Sequence, residues 1–455
     1  MIGSHSFSAL AIELAGELSG PDVTFSQLST DTRELRPGSV YLALRGERFD
    51  GNDFIGQAQS AGAIGAVVHG TLESALPLLQ VADTHEALGR IAALNRRRGQ
   101  ARVIALTGSQ GKTTVKEMAG AILKSQAHTL VTAANLNNTI GVPLTLLKLD
   151  AEHEFAVIEM GANQAGEIAF SVAVAQPDLA LITNASPAHI EGFGSLQGIV
   201  EAKGEIIDGV QAHGTVVLNA DDANCGQWHQ RAGHRKVVLF SRENSGGTAL
   251  YYSRANMVDE EGRAAFTLVT PLGERNVRMN MLGKHNITNA IAAAAATLEV
   301  GATLDSVVAG LSSVMPVKGR LLPVAGIAGS RLIDDSYNAS PGSFFAAIDV
   351  LMSHDGERYL VAGDMRELGT ESAEAHRAVG DYAKRAGVER LLAVGEQCRL
   401  MTNAFGAGAE HFETQGALIE CCRKLATADA TFLIKGSRGS TMDIVVKAMS
   451  QIEDA

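Results

Sequence analysis

The chain is built around the stretch Val103-Ile104-Ala105-Leu106-Thr107-Gly108-Ser109-Gln110-Gly111-Lys112-Thr113-Thr114. Its apolar beginning predicts a buried strand, its two glycines predict a turn, and the residues from Lys112 onward predict a helix. Glycines let backbone N–H groups turn toward a bound anion, and the start of a helix adds unsatisfied amide donors and the positive end of the helix dipole. The stretch therefore predicts a phosphate-binding loop.

The side chains of this loop agree with that prediction. Lys112 would neutralise the terminal phosphates of a nucleotide, and the Thr113 hydroxyl would bind the Mg²⁺ that accompanies them. The spacing departs from the common G-x-x-x-x-G-K-[ST] pattern, because Leu106 stands at the place of the first glycine. A plain glycine turn before a helix is the alternative, which is disfavoured because strand, glycines, lysine and paired threonines coincide. The predicted phosphate contacts are Gly108, Ser109, Gln110, Gly111, Lys112, Thr113 and Thr114.

Length and composition limit the class of protein. With 455 residues the chain is long enough for about three domains of roughly 150 residues each. Its 50 acidic and 38 basic residues give a net charge of −12, which argues against a partner of duplex nucleic acid and agrees with a soluble enzyme. The four cysteines lack metal-binding or disulfide spacing. Neither a secretory signal nor a bilayer-spanning run is visible, so we expect a cytoplasmic protein without membrane insertion.

Apolar runs alternate with helical patterns through most of the chain, which predicts an α/β protein of three domains. We expect a small α/β N-terminal domain at residues 1–100, a central P-loop mononucleotide-binding parallel sheet at 101–318, and a Rossmann-like C-terminal domain at 319–455. Segments between residues 247 and 277 alternate like antiparallel strands inserted into the central domain. The basic run at residues 96–100 is interpreted as the link between the first two domains, although a helix end would have the same composition.

Polar residues near the ends of predicted central strands are candidates for a cation site. Glu159 closes a strand, and His189 comes soon after the next one. Because ligand-binding groups gather at the carboxyl ends of parallel strands, both are expected near Thr113. Alone, each would more often be structural. Lys203 lies in a helical pattern, where most lysines are solvated.

Further candidates lie where later helices begin. Asn286 and Asn289 are three residues apart and share a helix face, where two amides can hold a base or a ribose; helix capping is the alternative. Asp335 and Tyr337 follow a strand, in a turn that would hold ribose and adenine or merely cap the next helix.

Two cations of the third domain come after its last predicted strand, flanked by glycines. Lys435 and Arg438 would bind the carboxylate of a second substrate, because an arginine matches a carboxylate in bidentate fashion. Ordinary surface charges are the alternative.

Together these motifs resemble one family along nearly the whole chain, the Mur ligases, ATP-dependent enzymes that build the peptide of the bacterial cell wall. Residues 107–114 look like that family's shortened P-loop, which accounts for Leu106. The other matching elements follow in order, at residues 135–143 and 159–163, His189, Lys203, the helix with Asn286 and Asn289, Arg320, and the turn at Asp335.

The resemblance is strongest to the branch that adds D-alanyl-D-alanine to UDP-N-acetylmuramoyl-tripeptide through an acyl phosphate. Residues 31–38, 46–51, 334–341, 363–369 and 435–438 carry it. A branch that adds diaminopimelate or lysine has a similar N-terminus, but its D-N-P-R sequence is missing here. An alternative of another class is a P-loop ATPase switch, which would release phosphate without any amine acceptor.

The resemblance implies a role for each matching residue. The catalytic residues would be Lys112, Glu159, His189 and Lys203, of which the lysine matching Lys203 is often carbamylated in relatives. Mg²⁺ would be held by Thr113, Glu159 and His189. ATP would contact residues 108–114 together with Asn286, Asn289, Arg320, Asp335 and Tyr337. The UDP-muramoyl peptide would contact Thr32, Arg33, Arg48, Asn138 and Thr139, and the dipeptide would contact Lys435 and Arg438. The three domains would bind, in order, the UDP-muramoyl peptide, ATP and the dipeptide, in a monomer.

Overall fold

The computed structural model describes residues 1–46, 48–187, 190–259 and 262–451. Over these residues the chain folds into three α/β units that follow one another in sequence, each built on its own main sheet. The predicted α/β class and the succession of three units are therefore confirmed. Within the described ranges, no helix combines the length and apolar composition needed to cross a bilayer.

The first unit is built on a five-stranded sheet of order β2-β7-β6-β5-β4, in which only the β2–β7 pair is antiparallel. A two-stranded antiparallel ribbon, β1-β3, lies beside it. The elements are β1 His5–Ser6, α1 Phe7–Leu14, β2 Glu17–Ser19, β3 Thr24–Phe25, β4 Leu28–Ser29, β5 Val40–Leu42, α2 Ile55–Ser60, β6 Gly65–His69, β7 Leu78–Val81 and α3 Thr84–Arg98. A 3₁₀ turn, Gly51–Phe54, precedes α2.

The basic run at residues 96–100 forms the last turn and the end of α3, which is the helix-end alternative, and the first strand of the second unit begins soon after it at Arg102. Cations are favoured there because the carbonyl end of a helix carries partial negative charge. Arg96 is buried, its Nε donates to the Ala175 carbonyl at 3.0 Å, and its Nη2 donates to the Asp178 carboxylate at 3.0 Å. The run therefore fastens the first unit to the second.

The second unit is built on six parallel strands in the order β13-β12-β11-β8-β10-β9. Alternate residues of β8 point to opposite faces, with Val103 and Ala105 in the core shared with the first unit and Ile104 and Leu106 in the core on the other face. The elements are β8 Arg102–Thr107, α4 Lys112–Lys124, β9 Thr129–Val131, α5 Gly141–Leu146, β10 Phe155–Glu159, α6 Glu167–Ala175, β11 Leu179–Ile182, α7 Ile190–Phe193, α8 Leu196–Asp208, β12 Thr215–Asn219, α9 Cys225–Ala232 and β13 Lys236–Phe240.

The antiparallel insertion expected near residues 247–277 is present as a three-stranded sheet, β14-β15-β16. Two helices follow it, and the second of them was not predicted. The elements are β14 Tyr252–Val258, β15 Arg263–Thr270, β16 Gly273–Leu282, α10 His285–Glu299 and α11 Leu304–Ser313. Both helices pack against α4, the helix that follows the glycine loop.

The third unit is a six-stranded sheet of order β17-β18-β22-β19-β20-β21, with only β17 antiparallel to its neighbour. Strand β17 contains Pro323, which an edge strand tolerates, and the proline obscured it in the sequence. The elements are β17 Leu322–Ala325, β18 Arg331–Asp335, α12 Pro341–Met352, β19 Glu357–Gly363, α13 Ser372–Ala386, β20 Arg390–Val394, α14 Cys398–Phe405, β21 Ala409–Phe412, α15 Gln415–Leu425, β22 Ala430–Lys435 and α16 Asp443–Met449. The carboxyl ends of β18, β19 and β22 lie at one sheet edge, which faces the glycine loop of the second unit.

Candidate active site

The glycine loop between β8 and α4 has a backbone that other residues would strain. Gly108 and Gly111 have φ of +153° and +80°. A Cβ on Gly111 would lie 2.4 Å from the Asn289 side-chain oxygen, and one on Gly108 would lie 1.9 Å from the Thr183 hydroxyl. Because Gly111 has no side chain to cap α4, the first amides of that helix are free of such a cap and suit an anion.

The loop is held from behind by the residues that follow β11. The Ser109 amide donates to the Asn184 carbonyl, and the Gln110 amide donates to the Asn184 side-chain oxygen, each at 2.9 Å. The Thr183 hydroxyl donates to the Gln110 carbonyl at 2.7 Å. Sequence reasoning missed both Thr183 and Asn184, although their place after a parallel strand was the signal that drew attention to His189 nearby.

Lys112, at the first position of α4, has its ammonium folded back onto the loop. Its Nζ donates to the carbonyls of Gly108 at 2.7 Å and Ser109 at 3.3 Å. Burial lowers the pKa of Lys112, the nearby Glu159 carboxylate acts in the opposite direction, and the positive charge of Arg320 lowers the pKa further. A phosphate would offer this ammonium a charged acceptor, which forms a stronger hydrogen bond than a carbonyl does.

Glu159 ends β10 and lies beside the start of α4, as the sequence predicts. Its Oε1 accepts the Thr113 hydroxyl at 3.3 Å and the Asn137 amide at 2.8 Å. Its Oε2 is buried and has no hydrogen-bond partner in the structure. A buried carboxylate oxygen without a partner, next to a hydroxyl, is a donor set that fits a hard divalent cation. His189, the third expected ligand, lies outside the described residues.

Lys203 is buried in the interior face of α8, against the expectation for most helix lysines. Its side chain lies over the Phe193 ring, with the ammonium 6.0 Å from the ring centroid. Burial, and after it the charge of Lys112, lowers the pKa of Lys203 well below the ordinary lysine value. Burial therefore makes the neutral, nucleophilic form of this amine easier to reach than in an exposed lysine.

A cleft between the second and third units opens from the glycine loop. Asn286 and Asn289 share one face of α10 as predicted, with the Asn289 amide donating to the Asn286 oxygen at 2.8 Å. Asn286 donates in turn to the Leu282 carbonyl, so neither amide acts as the helix cap. Both line the cleft, together with loop residues 109–114 and Arg320, Asp335 and Lys435 of the third unit.

The turn after β18 braces the start of the third unit. Asp335 Oδ1 accepts the Leu321 amide at 3.2 Å, and its Oδ2 accepts the Lys435 ammonium at 2.5 Å. Tyr337 lies under two guanidinium groups, with Arg320 at 4.6 Å and Arg438 at 5.9 Å from its ring centroid. The turn thus brings the residues predicted to contact the nucleotide, Asp335 and Tyr337, next to Lys435 and Arg438, which are predicted to contact the carboxylate of a second substrate. Lys435 already forms a buried ion pair with Asp335.

Three further side chains of the cleft had no individual role predicted from the sequence, although Arg366 belongs to the stretch 363–369 that carries the family resemblance. Arg242 and Arg366 add positive charge to its lining, and His285 lies at the start of α10. Burial lowers the pKa of His285 to about 4, against the opposing effect of Asp335, so its imidazole is neutral at physiological pH. The surplus of cations over anions suits a polyphosphate ligand.

The N-terminal candidates lie in the first unit, and among the described residues none of them lines the cleft. The Thr32 hydroxyl lies 3.5 Å from the Gln57 side-chain oxygen. Arg33 is exposed and pairs with Asp31 at 2.6 Å, which lowers the Asp31 pKa to about 2. Arg48 is exposed.

Asn138 and Thr139 occupy the loop that faces the first unit. The Asn138 oxygen accepts the Gly141 amide at 2.8 Å at the start of α5. The Thr139 hydroxyl lies 3.0 Å from Nε2 of His85 on α3. Since Asn137 touches Glu159, this loop connects the candidate cation site with the first unit.

Comparison with known proteins agrees with these features. Three family models match the chain: "Mur ligase family, catalytic domain" at residues 24–96, "Mur ligase middle domain" at 106–297, and "Mur ligase, glutamate ligase domain" at 319–438. The UDP-N-acetylmuramoyl-tripeptide--D-alanyl-D-alanine ligase of Escherichia coli strain K12 is 46% identical, covering 98% of this chain and 99% of that protein.

Two solved structures extend the match to three dimensions. A crystal structure of MurF from Acinetobacter baumannii has a TM-score of 0.92 at 34% identity and covers 98% of both chains. The MurF ligase from Thermotoga maritima in complex with ADP has a TM-score of 0.84 at 25% identity, covering 93% of this chain and 96% of that one. On the extent and identity of these matches, the chain belongs to the Mur ligase family.

Proposed function

We propose that this protein is an ATP-dependent ligase that joins D-alanyl-D-alanine to UDP-N-acetylmuramoyl-tripeptide in the synthesis of peptidoglycan precursors. Its family membership and the name of its 46% identical relative support the activity. The observation that carries the chemistry is the buried Glu159 carboxylate, which has one unpartnered oxygen and lies beside Thr113 at the start of the glycine-loop helix.

The reaction needs activation, because the oxygen of a carboxylate is a poor leaving group. A carboxylate oxygen of the tripeptide attacks the γ-phosphorus of ATP, the bond to the β-phosphate oxygen breaks, and ADP and an acyl phosphate result. The neutral amine of the dipeptide then attacks the acyl carbon, phosphate leaves, and the amine loses a proton. Catalysis of the first step is mainly positioning two anions and neutralising their charge.

The cleft supplies that positioning for ATP. Residues 108–114 hold the phosphates, through the uncapped first amides of α4 and the Lys112 ammonium, and Asn286, Asn289, Asp335 and Tyr337 hold the nucleoside. Arg320 reaches the phosphates from the third unit, which agrees with its charge already acting on Lys112. Because these groups belong to two units, ATP binding draws the units together and excludes water from the acyl phosphate.

Mg²⁺ would be held by Thr113 and Glu159, and by His189 as its third protein ligand. When bound, the cation offsets the negative charge shared by the phosphates and the carboxylate. The Glu159 oxygen without a hydrogen-bond partner is the structural support for this assignment. Asn137 orients the same carboxylate through its other oxygen.

The remaining substrates are assigned by position. Thr32, Arg33 and Arg48 would contact the UDP group, and Asn138 and Thr139 the muramoyl peptide on its way to Glu159. Arg438, with Lys435 behind it, would hold the carboxylate of D-alanyl-D-alanine. The domains would be residues 1–100 for the UDP-muramoyl peptide, 101–318 for ATP and 319–455 for the dipeptide.

We further propose that the enzyme works as a cytoplasmic monomer. All four cysteines are free thiols, which agrees with a reducing compartment. Both the UDP-linked substrate and ATP would be met there.

The test is phosphate release by the purified protein with ATP, Mg²⁺ and UDP-muramoyl-tripeptide, adding D-alanyl-D-alanine, lysine or diaminopimelate in turn. We expect sustained release only with the dipeptide. Release with no amine would instead indicate an ATPase switch, and release with lysine or diaminopimelate would indicate a ligase for a single amino acid.

The assignment of the glycine loop is tested by Lys112→Ala. Losing a charge-assisted contact costs roughly 1.5–3 kcal/mol in binding alone, so we expect kcat/KM to fall by at least about tenfold. Lys124→Ala, at the exposed end of the same helix, is the matched control and should keep its activity. Near-normal turnover in Lys112→Ala would remove the phosphate assignment.

A further inference from the structure

Three metal-binding side chains come together at the end of the central sheet opposite to the glycine loop. His128 directly precedes β9, and Asp150 and His153 lie in the segment before β10. The two strands pair in parallel with Thr129 opposite Phe155, and the Glu154 amide donates to the His128 carbonyl at 3.0 Å. The pairing of β9 with β10 therefore holds the backbone of His128 close to the segment that carries Asp150 and His153.

The potential ligand atoms lie close together, and Nδ1 of His153 also accepts the Asp150 backbone amide at 3.2 Å. Asp150 Oδ1 lies 2.7 Å from Nδ1 of His153 and 3.9 Å from Nδ1 of His128. The two imidazole rings stack with centroids 4.0 Å apart. The Asp150 carboxylate is itself held by the backbone amides of Glu152 at 2.9 Å and His153 at 3.1 Å.

These separations are close to those of a filled site. In a tetrahedral zinc site with metal–nitrogen bonds of about 2.0–2.1 Å, neighbouring ligand atoms lie about 3.3 Å apart. The observed 2.7 and 3.9 Å lie on either side of that value, so an ion would require the side chains to rotate about their χ angles. His128 and Asp150 are half exposed, which leaves an entry path, while the side chain of His153 is 8% exposed.

We propose that His128, Asp150 and His153 form a binding site for a divalent transition-metal cation of the Zn²⁺ type, with water as the fourth ligand. Two imidazole nitrogens and one carboxylate oxygen suit borderline cations such as Zn²⁺, whereas Mg²⁺ prefers a ligand set dominated by oxygen. The charge of Glu152, close enough to act on His153, adds to the attraction for a cation.

The site is distinct from the proposed catalytic centre. Glu159 lies at the carboxyl end of β10 and the histidine cluster at its amino end, which a five-residue strand separates by about 16 Å. The expected consequence of binding is a firmer junction between β9, β10 and the turn before β10. Ligase activity needs no contribution from it.

The test is isothermal titration of the chelator-treated full-length protein with ZnCl₂, with Mg²⁺ and ADP in excess to occupy the cleft. We expect saturable binding of one ion per chain, and at least a tenfold weaker affinity in His128→Asn. His213→Asn removes an exposed histidine elsewhere and should bind as the wild type does. His128→Asn should keep normal ligase activity in Mg²⁺.

Two outcomes would overturn the proposal. One is equal Zn²⁺ affinity in the wild type and His128→Asn, and the other is an equal loss of affinity in His213→Asn. Asp150→Asn is a second test variant, which keeps both imidazoles, and it is also expected to weaken Zn²⁺ binding. In NMR spectra of the wild type, Zn²⁺ should shift the ring signals of His128 and His153 and leave those of His213 unchanged.

Discussion

Glu159 combines burial, negative charge and one oxygen without a hydrogen-bond partner. Such a group is costly to the fold unless a cation joins it. We predict that Glu159→Gln keeps the packing but weakens the response to Mg²⁺, raising the concentration for half-maximal activity at least tenfold. The measurement is the Mg²⁺ dependence of phosphate release.

A stability measurement on the same variant separates a metal ligand from a structural carboxylate. Without added Mg²⁺, Glu159→Gln should unfold at the same temperature as the wild type or a higher one, because it removes a buried charge that Lys112 and two hydrogen bonds compensate only in part. Glu201→Gln, the same change at an exposed position of α8, should alter neither property. A clear loss of stability in Glu159→Gln with an unchanged Mg²⁺ dependence would contradict the assignment.

Lys203 gives a prediction on pH because its folded-state pKa is lowered by burial and by Lys112. Between that pKa and the unfolded value near 10.4, the folded protein binds fewer protons than the unfolded one, so stability rises with pH through this interval. Lys203→Met removes the cost and should stabilise the protein by about 1–3 kcal/mol at about pH 6.5. The gain should shrink toward about pH 9.5.

Urea unfolding at both pH values, in buffer free of CO₂, measures this difference. Lys124→Met on α4 is the control for an exposed lysine and should show no such pH dependence. If the gain from Lys203→Met were the same at both pH values, the amine would not be the cause. In bicarbonate labelled with ¹³C, the neutral amine of the wild type should also form a carbamate signal that Lys203→Met lacks.

Among the elements, the loop from β8 to α4 depends on glycine most directly at Gly111. Its φ of +80° strains any other residue, and a Cβ there would lie 2.4 Å from Asn289. We predict that Gly111→Ala destabilises the protein by about 1–3 kcal/mol and weakens ATP binding at least tenfold. Thermal unfolding and nucleotide titration measure the two effects.

Gly226, in α9, provides the opposite case for the same substitution. It has ordinary helical geometry with open space where a Cβ would be, so Gly226→Ala should stabilise by about 0.5–1 kcal/mol and leave ATP binding alone. If Gly111→Ala and Gly226→Ala both weakened ATP binding, the loss would not be specific to the glycine loop, and the prediction for Gly111 would be contradicted.

The elements that could be predicted are those whose causes are local. The strand, glycine turn and helix around residues 103–114 follow from adjacent residues, and the meeting of Thr113 with Glu159 follows because β8 and β10 are parallel neighbours. Strand β17 and helix α11 were missed, since one is a short edge strand with a proline and the other directly follows a stronger helical pattern.

The features that escaped prediction depend on partners distant in sequence. Lys435 pairs with Asp335 because β18 and β22 bring these two residues into register, 100 positions apart. The burial of Lys203 depends on Phe193, which a helical pattern for residues 196–208 does not reveal. For the same reason the basic run at the end of α3 resembled a link, because its half-buried acceptor Asp178 lies in another unit.

On the scale of the whole molecule, the contact of Arg96 with residues 175–178 determines how the first unit is attached to the second. Arg96 bonds the carbonyls of Ala175 and Gln176 and the carboxylate of Asp178, which also accepts the Val103 amide at the start of the central β8 strand. The first unit is therefore fixed to the base of the central sheet. Movement during the reaction is then expected mainly of the third unit, which meets the glycine loop through Gln110 and Ser340.

We predict that Arg96→Ala weakens the attachment of the first unit to the second and leaves the contact between the second and third units unchanged. Three acceptors each lose one donor and the carboxylate loses its cation, at a cost of about 2–3 kcal/mol, since Asp178 stays partly solvated and keeps the Val103 amide. Hydrogen exchange in α3 should accelerate, and the KM for the UDP-muramoyl peptide should rise more than that for ATP. Arg97→Ala, which breaks only the exposed pair with Glu13, should cost less than about 1 kcal/mol and change neither KM. Equal effects of the two variants would show that the buried contact does not hold the substrate-binding unit in place.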